Sequence, residues 1–382
     1  MAGAAAGLPS KEAAILKGHE GAVLAVRFNK DGKYCLSCGK DRSLRLWNPH
    51  KGIHIKTYNG HARDVRDVAV SSDNSKLSSC GGDRQLLYWD VSSGRIIRKF
   101  QGHDAEINSV KFNEYAAALI SGGGDRSVRA WDCRSNRFDP IQVIDTFKDS
   151  VTSVQLTKTE IIAGSVDGTV RTFDIRNGRE IVDDLGQSVN SVALSYDEGC
   201  ILASCLDSTI RLLDRASGEQ LQEYKGHENK AFKMDSCLTN TDAHVVSGSE
   251  DGRVFYWDLV DGVLVKSFKA HAAVVTSVSY HPTESCMLTS SVDELDTRSA
   301  TFRMEHTQET VLEFETTNNY CFCFFAHNLR RQIARCTLGA HLDTLVGQIV
   351  LNNGGSDSEG PVCQTAFDRL CRCGIGMVQT PE

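Results

Sequence analysis

The chain has 382 residues, 41 % apolar and 24 % charged, with 42 basic against 49 acidic residues and a net charge of −7. That balance argues against broad nucleic-acid binding, which needs a basic surface to release counterions. No apolar run is long enough for a membrane span. Residues 1–10 are small and mostly neutral, without the basic segment and apolar core of a secretory signal, and are expected to be a flexible N-terminus.

From there the elements follow a fixed period. Gly18-His19, Gly60-His61 and Gly102-His103 recur every 42 residues, as do Trp47, Trp89 and Trp131. An Asp stands six residues before each Trp position: Asp41, Asp83, Asp125, Asp167, Asp207, Asp251 and Asp293. The third unit shows the strand pattern. Ile107, Val110 and Phe112 precede Ala118-Leu119-Ile120-Ser121, then the turn Gly122-Gly123-Gly124-Asp125, then alternation ending in Trp131. A further short strand follows each Trp position, as in Ile96-Ile97-Arg98-Lys99-Phe100.

Four short strands per repeat, marked by Gly-His and Trp-Asp, resemble WD40 repeats. The resemblance implies an all-β, seven-bladed β-propeller. It also implies that a His, a Ser, the turn Asp and the Trp of each blade form one buried hydrogen-bond network. The full sets are His19, Ser37, Asp41 and Trp47; His61, Ser79, Asp83 and Trp89; His103, Ser121, Asp125 and Trp131; and His227, Ser247, Asp251 and Trp257. The fourth blade has Asp149 at the His place, Ala163 and Phe173. The fifth has Gln187, Ala203 and Leu213. These two are expected to be held by apolar packing and to open more easily.

The repeat frame accounts for most reactive residue types. The recurring histidines are struts. Cys35, Cys38, Cys80 and Cys205 occupy small or aliphatic strand positions and are read as reduced, buried thiols. There is no Walker loop, nucleophile elbow, zincin motif or dinucleotide fingerprint, so no catalytic residue, cofactor or metal is assigned. The expected function is protein docking. The candidate partner surface is Lys40, Arg63, Asp64, Arg66, Glu106, Asn108, Lys230, Phe232 and Glu250, which mix both charges with one aromatic.

Residues 207–285 carry a closer likeness, in Asp207-Ser-Thr-Ile-Arg-Leu-Leu-Asp214, Glu223-Tyr-Lys-Gly-His227, His244-Val-Val-Ser247 and Tyr280-His-Pro-Thr-Glu284. With Arg27-Phe-Asn29 and Ala163-Gly-Ser-Val-Asp-Gly168, they are similar to the mitogen-activated protein kinase organizer family. The resemblance implies a monomeric, non-catalytic scaffold that gathers kinase-cascade components and associates with spliceosomal complexes, in cytoplasm and nucleus. An alternative is a substrate receptor of a cullin-4 ubiquitin ligase, since Trp131-Asp132-Cys133-Arg134 matches a W-D-x-R box and Arg134 could make bidentate contacts.

The domain reading is a propeller over 11–293 and a divergent tail over 294–382. Glu12–Lys17 is expected to supply the outer strand of the last blade. That blade is expected to be incomplete, because no aromatic-ending strand follows Asp293; Ala300–Met304 is the alternative third strand. The tail lacks Lys and Trp and holds six of the 14 Cys. It reads as poorly ordered, with one helix over 330–350, and as an alternative or misread coding end. Its Cys321-Phe-Cys323 and Cys371-Arg-Cys373 pairs are weak metal signals.

Overall fold

The structure, a computed structural model, describes residues 7–292 and, as backbone, the strands Ala300–His306, Glu315–Thr317 and Tyr320–Phe322. Every regular element among the described residues is a strand. Seven sheets of four antiparallel strands follow one another along the chain. Their innermost strands are Val23–Phe28, Val65–Val70, Ile107–Phe112, Val151–Leu156, Val189–Leu194, Ser236–Leu238 and Val275–Tyr280, numbered here as blades one to seven. Each inner strand contacts the next and the seventh contacts the first, so the blades form a closed ring.

The closing blade draws on both ends of this unit. Lys11–His19 pairs antiparallel with Ala300–His306, in the register Leu16↔Phe302, and Ala300–His306 pairs in turn with Cys286–Ser291. The N-terminal outer strand lies where the repeat frame expects it. The seventh blade is incomplete in its motif but not in its strand count: the alternative strand beginning at Ala300 fills the third place. The turn at Asp293 lies outside the described residues. So do the segment expected to be helical and most of the tail, apart from the hairpin of Glu315–Thr317 with Tyr320–Phe322.

The core lies between blades. Leu36, Leu44 and Tyr58 of blade one pack against Val65, Val68, Leu77 and Trp89 of blade two. All four tryptophans are at most 2 % exposed. An indole can be buried so deeply only if its N–H finds an acceptor. In blade one Trp47 Nε1 donates to Ser37 Oγ (2.9 Å), Ser37 Oγ donates to His19 Nε2 (2.6 Å), and His19 Nδ1 donates to Asp41 Oδ2 (2.8 Å). Ser thus reaches Asp through the imidazole. Burial alone would raise the Asp41 carboxyl, but His19 and the backbone N–H of Ser43 hold it at about 2. The same chain joins Trp89, Ser79, His61 and Asp83, and Trp131, Ser121, His103 and Asp125.

Blade six departs from this expectation. His227 makes no hydrogen bond at either ring nitrogen, although it is 3 % exposed. Trp257 Nε1 donates to the Lys225 carbonyl (2.9 Å) and Ser247 Oγ to the Gly248 carbonyl (3.0 Å). Asp251 is exposed, and Ser249 Oγ accepts the Glu228 N–H (3.0 Å), a role the turn Asp plays in blade one. The reason is spacing: His to Ser is 18 residues in blades one to three, and two more residues separate His227 from Ser247. Phe255 stacks on Trp257 (5.6 Å, 16°) and His227 packs edge-on against that indole.

Blade four is apolar, as expected, but through a different residue. Phe147, not Asp149, takes the His place: Lys148 N–H reaches Asp167 as Glu20 N–H reaches Asp41, and Phe147 packs edge-to-face on Phe173 (5.9 Å). In blade five Gln187 is exposed, and Leu185 packs in the cluster of Ala203 and Leu213.

Candidate interaction face and channel

An antiparallel meander puts the starts of inner strands and the second-to-third turns on one face, and the ends of third strands on the other. Lys40, Asp64, Arg66 and Asn108 therefore converge on one mouth of the channel, around a cavity of about 310 Å³ that Arg27, Lys233 and Asp235 also line. Arg66 Nε bonds Asp64 (3.0 Å), and Arg66 Nη1 lies 3.4 Å from Glu106. Arg63, Lys40, Lys230 and Phe232 are exposed.

Two of the candidate residues also hold the surrounding backbone in place. Asn108 is buried and bridges blades: its Oδ1 accepts from Arg66 Nη1 (2.7 Å) and its Nδ2 donates to the Val151 carbonyl (2.8 Å). Glu250 Oε1 accepts the backbone N–H groups of Lys230, Ala231 and Phe232 (2.6, 2.7 and 3.2 Å). Burial opposes ionisation of Glu250, yet these N–H groups keep its carboxyl below the usual range. It clamps the loop that displays Phe232, which is 42 % exposed. Arg134 leaves the opposite face, 79 % exposed beside Asp132.

The repeat frame alone did not single out the channel network. Arg27 Nη1 bonds Asp235 (2.7 Å) and Ser277 Oγ (2.8 Å), and Nη2 bonds Asp67 (3.0 Å). Asp67 also accepts from Ser109 Oγ (3.0 Å) and Val110 N–H (3.2 Å). Burial would raise the Asp67 carboxyl, but the Arg27 guanidinium holds it at about 2. The signal lay in the inner strands: where Ala25 and Ser109 stand in their blades, blade two carries Asp67, and where Ala69 and Gln155 stand, blade one carries Arg27.

The eight described cysteines are free, and burial pushes the thiols of Cys35, Cys38, Cys80 and Cys205 up, away from the reactive thiolate. His50, His281 and Glu284 bring potential ligand atoms within 4.8 Å of one another. His281 Nδ1, however, already accepts the N–H groups of Thr283 (3.2 Å) and Glu284 (2.9 Å), the pattern of a turn-capping histidine. No helix among the described residues is long and apolar enough to cross a membrane.

Comparison with known proteins matches this geometry to a family. The chain is 55 % identical over 282 residues to the WD repeat domain-containing protein 83 of Rattus norvegicus, covering 74 % of this chain and 90 % of the relative. The chain belongs to the WD repeat domain-containing protein 83 family. The Homo sapiens member is 54 % identical over the same length, and the Dictyostelium discoideum homolog 37 % over 307 residues, 73 % of this chain and 94 % of the relative. Residues 262–295 match the model described as WD domain, G-beta repeat, and residues 27–241 that of the Nucleolar protein 10-like, N-terminal domain. WD repeat domain-containing protein 83 relatives thus align with about three quarters of the chain, and WD-repeat propellers as a class mediate protein–protein contacts.

Proposed function

We propose that the chain is a non-catalytic scaffold that docks protein partners on the channel-mouth face and assembles components of an ERK-type mitogen-activated protein kinase cascade, with a further role in pre-mRNA splicing complexes. The supporting observation is the display of Phe232 on a loop clamped by Glu250, beside charges of both signs at the mouth. An exposed aromatic on a fixed loop loses little entropy on docking and suits an anchor. The kinase and splicing assignments rest on the sequence resemblance to the organizer family, as does the expected presence in cytoplasm and nucleus.

The second reading, a cullin-4 substrate receptor, draws on the exposure of Arg134 just past buried Trp131. Affinity purification of the wild type, Phe232→Ala and Arg134→Ala separates the two. The scaffold reading expects kinase and splicing components to be captured, reduced about tenfold by Phe232→Ala and kept by Arg134→Ala. Capture of a ligase adaptor, lost in Arg134→Ala and kept in Phe232→Ala, overturns it.

A further inference from the structure

The channel is divided by side chains that cross it. The mouth cavity and a second cavity of about 210 Å³ below it share Arg27, Lys233 and Asp235, which form the septum. Arg27 comes from blade one and reaches Asp235 near the start of blade six. Lys233 crosses the other way, its Nζ donating to the Asn108 carbonyl of blade three at 2.7 Å.

The septum's carboxylates are already engaged. Asp67 binds Arg27, Ser109 and Val110, and Asp235 Oδ2 accepts from Arg27 and from Ser277 Oγ (2.6 Å). Lys111 is not so provided. It stands two residues past Ser109 on the inner strand of blade three and lines the lower cavity. Among the described residues its ammonium makes no hydrogen bond or ion pair. Burial disfavours its charge, and neighbouring Arg27 and Lys233 add to that, against partial relief from Asp67 and Asp235. Three cations face two committed carboxylates, so the half-buried Lys111 faces the cavity without a counter-ion of its own.

The rest of the lower cavity suits the missing charge. Ser191 and Ser279 line it, and Ser279 Oγ accepts from Phe28 N–H with its own proton left to donate, while Ser153 Oγ and Gln155 Nε2 already donate to the Val192 carbonyl. Arg27, Lys233 and Asp235 close it on the side of the mouth cavity, and the Asp235 carboxylate there makes the Lys111 side the more favourable place for an anion. We propose that the lower cavity binds one small tetrahedral oxyanion, inorganic phosphate or the phosphate of a small monoester, with Lys111 as its principal cation.

The test uses the full chain in potassium chloride and in potassium phosphate at matched ionic strength, read by thermal melting and by isothermal titration. O-phospho-L-serine is the monoester probe. Lys111→Met removes the charge and keeps the length; circular dichroism checks its fold, and Lys30→Met, on an exposed turn, is the control. The expected result is a saturable rise in melting temperature and a measurable heat in wild type and Lys30→Met, both lost in Lys111→Met. Lys111→Met itself should melt no lower than wild type in chloride. Response to phosphate but not to phosphoserine identifies the free ion as ligand; the reverse identifies the monoester. No saturable response to either probe in wild type, or an equal response in Lys111→Met as from general salting-out, overturns the proposal.

Discussion

Arg27 and Asp235 lie 208 residues apart in sequence and 2.7 Å apart in space. Their contact links the first blade to the sixth through the channel, with Ser277 of the seventh bonded to both. Asp67 joins the same guanidinium from blade two at 3.0 Å. The pairing of Lys11–His19 with Ala300–His306 closes the ring at its rim, and Arg27 ties it again from within.

Replacing that guanidinium should be severe. Arg27→Met leaves Asp67, 1 % exposed, without its ion-pair partner. Removing one partner of such a pair costs about 3–5 kcal/mol. Urea denaturation should show that loss; a change below about 1 kcal/mol would refute a structural role for the septum. The Asp67→Asn, Arg27→Met double mutant should recover part of it.

The same aspartate gives the ring an acid limit. The Arg27 guanidinium holds its carboxyl at about 2 in the folded protein, below the ordinary 3.8. A carboxyl lowered by folding stabilises the protein above its unfolded pKa, and that contribution fades as pH falls through the folded value. Stability of the wild type should therefore drop between pH 4 and pH 2, and Asp67→Asn, less stable at neutral pH, should drop less. Parallel melting curves for the two proteins across that window would contradict this.

Serine-to-alanine substitutions at one repeat position should separate the blades. In Ser79→Ala the Trp89 indole N–H and His61 Nε2 lose their shared partner, a cost of about 1–3 kcal/mol. In Ser247→Ala only a bond to the adjacent Gly248 carbonyl is lost, so the change should stay within about 0.5 kcal/mol. Equal losses in chemical denaturation would mean that blade six uses its serine after all.

His227 should behave as a buried apolar ring that happens to titrate. Burial lowers its pKa from 6.5 to about 4, against weaker opposing pulls from Asp207 and Asp251. The unfolded chain then binds the proton more readily, so stability falls as pH drops from 6.5 toward 4, by a total on the order of 3 kcal/mol. His227→Phe, which copies the Phe147–Phe173 solution of blade four, should flatten this slope without lowering stability at pH 7. A slope unchanged in the variant would assign the effect elsewhere.

The repeat was legible because its chemistry demands fixed spacing: a buried indole needs the serine, the serine needs the imidazole, and the imidazole needs the turn carboxylate. Blades one to three keep the 18-residue and 22-residue separations that let the four groups meet. The residue types at His227, Ser247, Asp251 and Trp257 were right while the spacing was not, and spacing decides. Phe147 stands 20 rather than 22 residues before Asp167, so a fixed count misses it, whereas Leu185 keeps the 22-residue spacing to Asp207 and is hidden only by being apolar where a polar strut is expected. The channel was hardly legible. Arg27, Asp67, Lys111, Lys233 and Asp235 come from four separate repeats, and only ring closure brings them together.

The closing pair also sets a timetable for biosynthesis. Lys11–His19 leaves the ribosome before the rest of the ring, and its partner Ala300–His306 follows nearly the whole ring later. Until then the outer strand has no sheet to join, and Cys286–Ser291 cannot gain its third-strand neighbour. Such long-range pairing is slow to form and leaves strand edges open to wrong partners. A nascent chain stalled just short of Ala300 would hold six finished blades and one sticky gap, which makes the synthesis of that strand the moment when the ring most needs a chaperone.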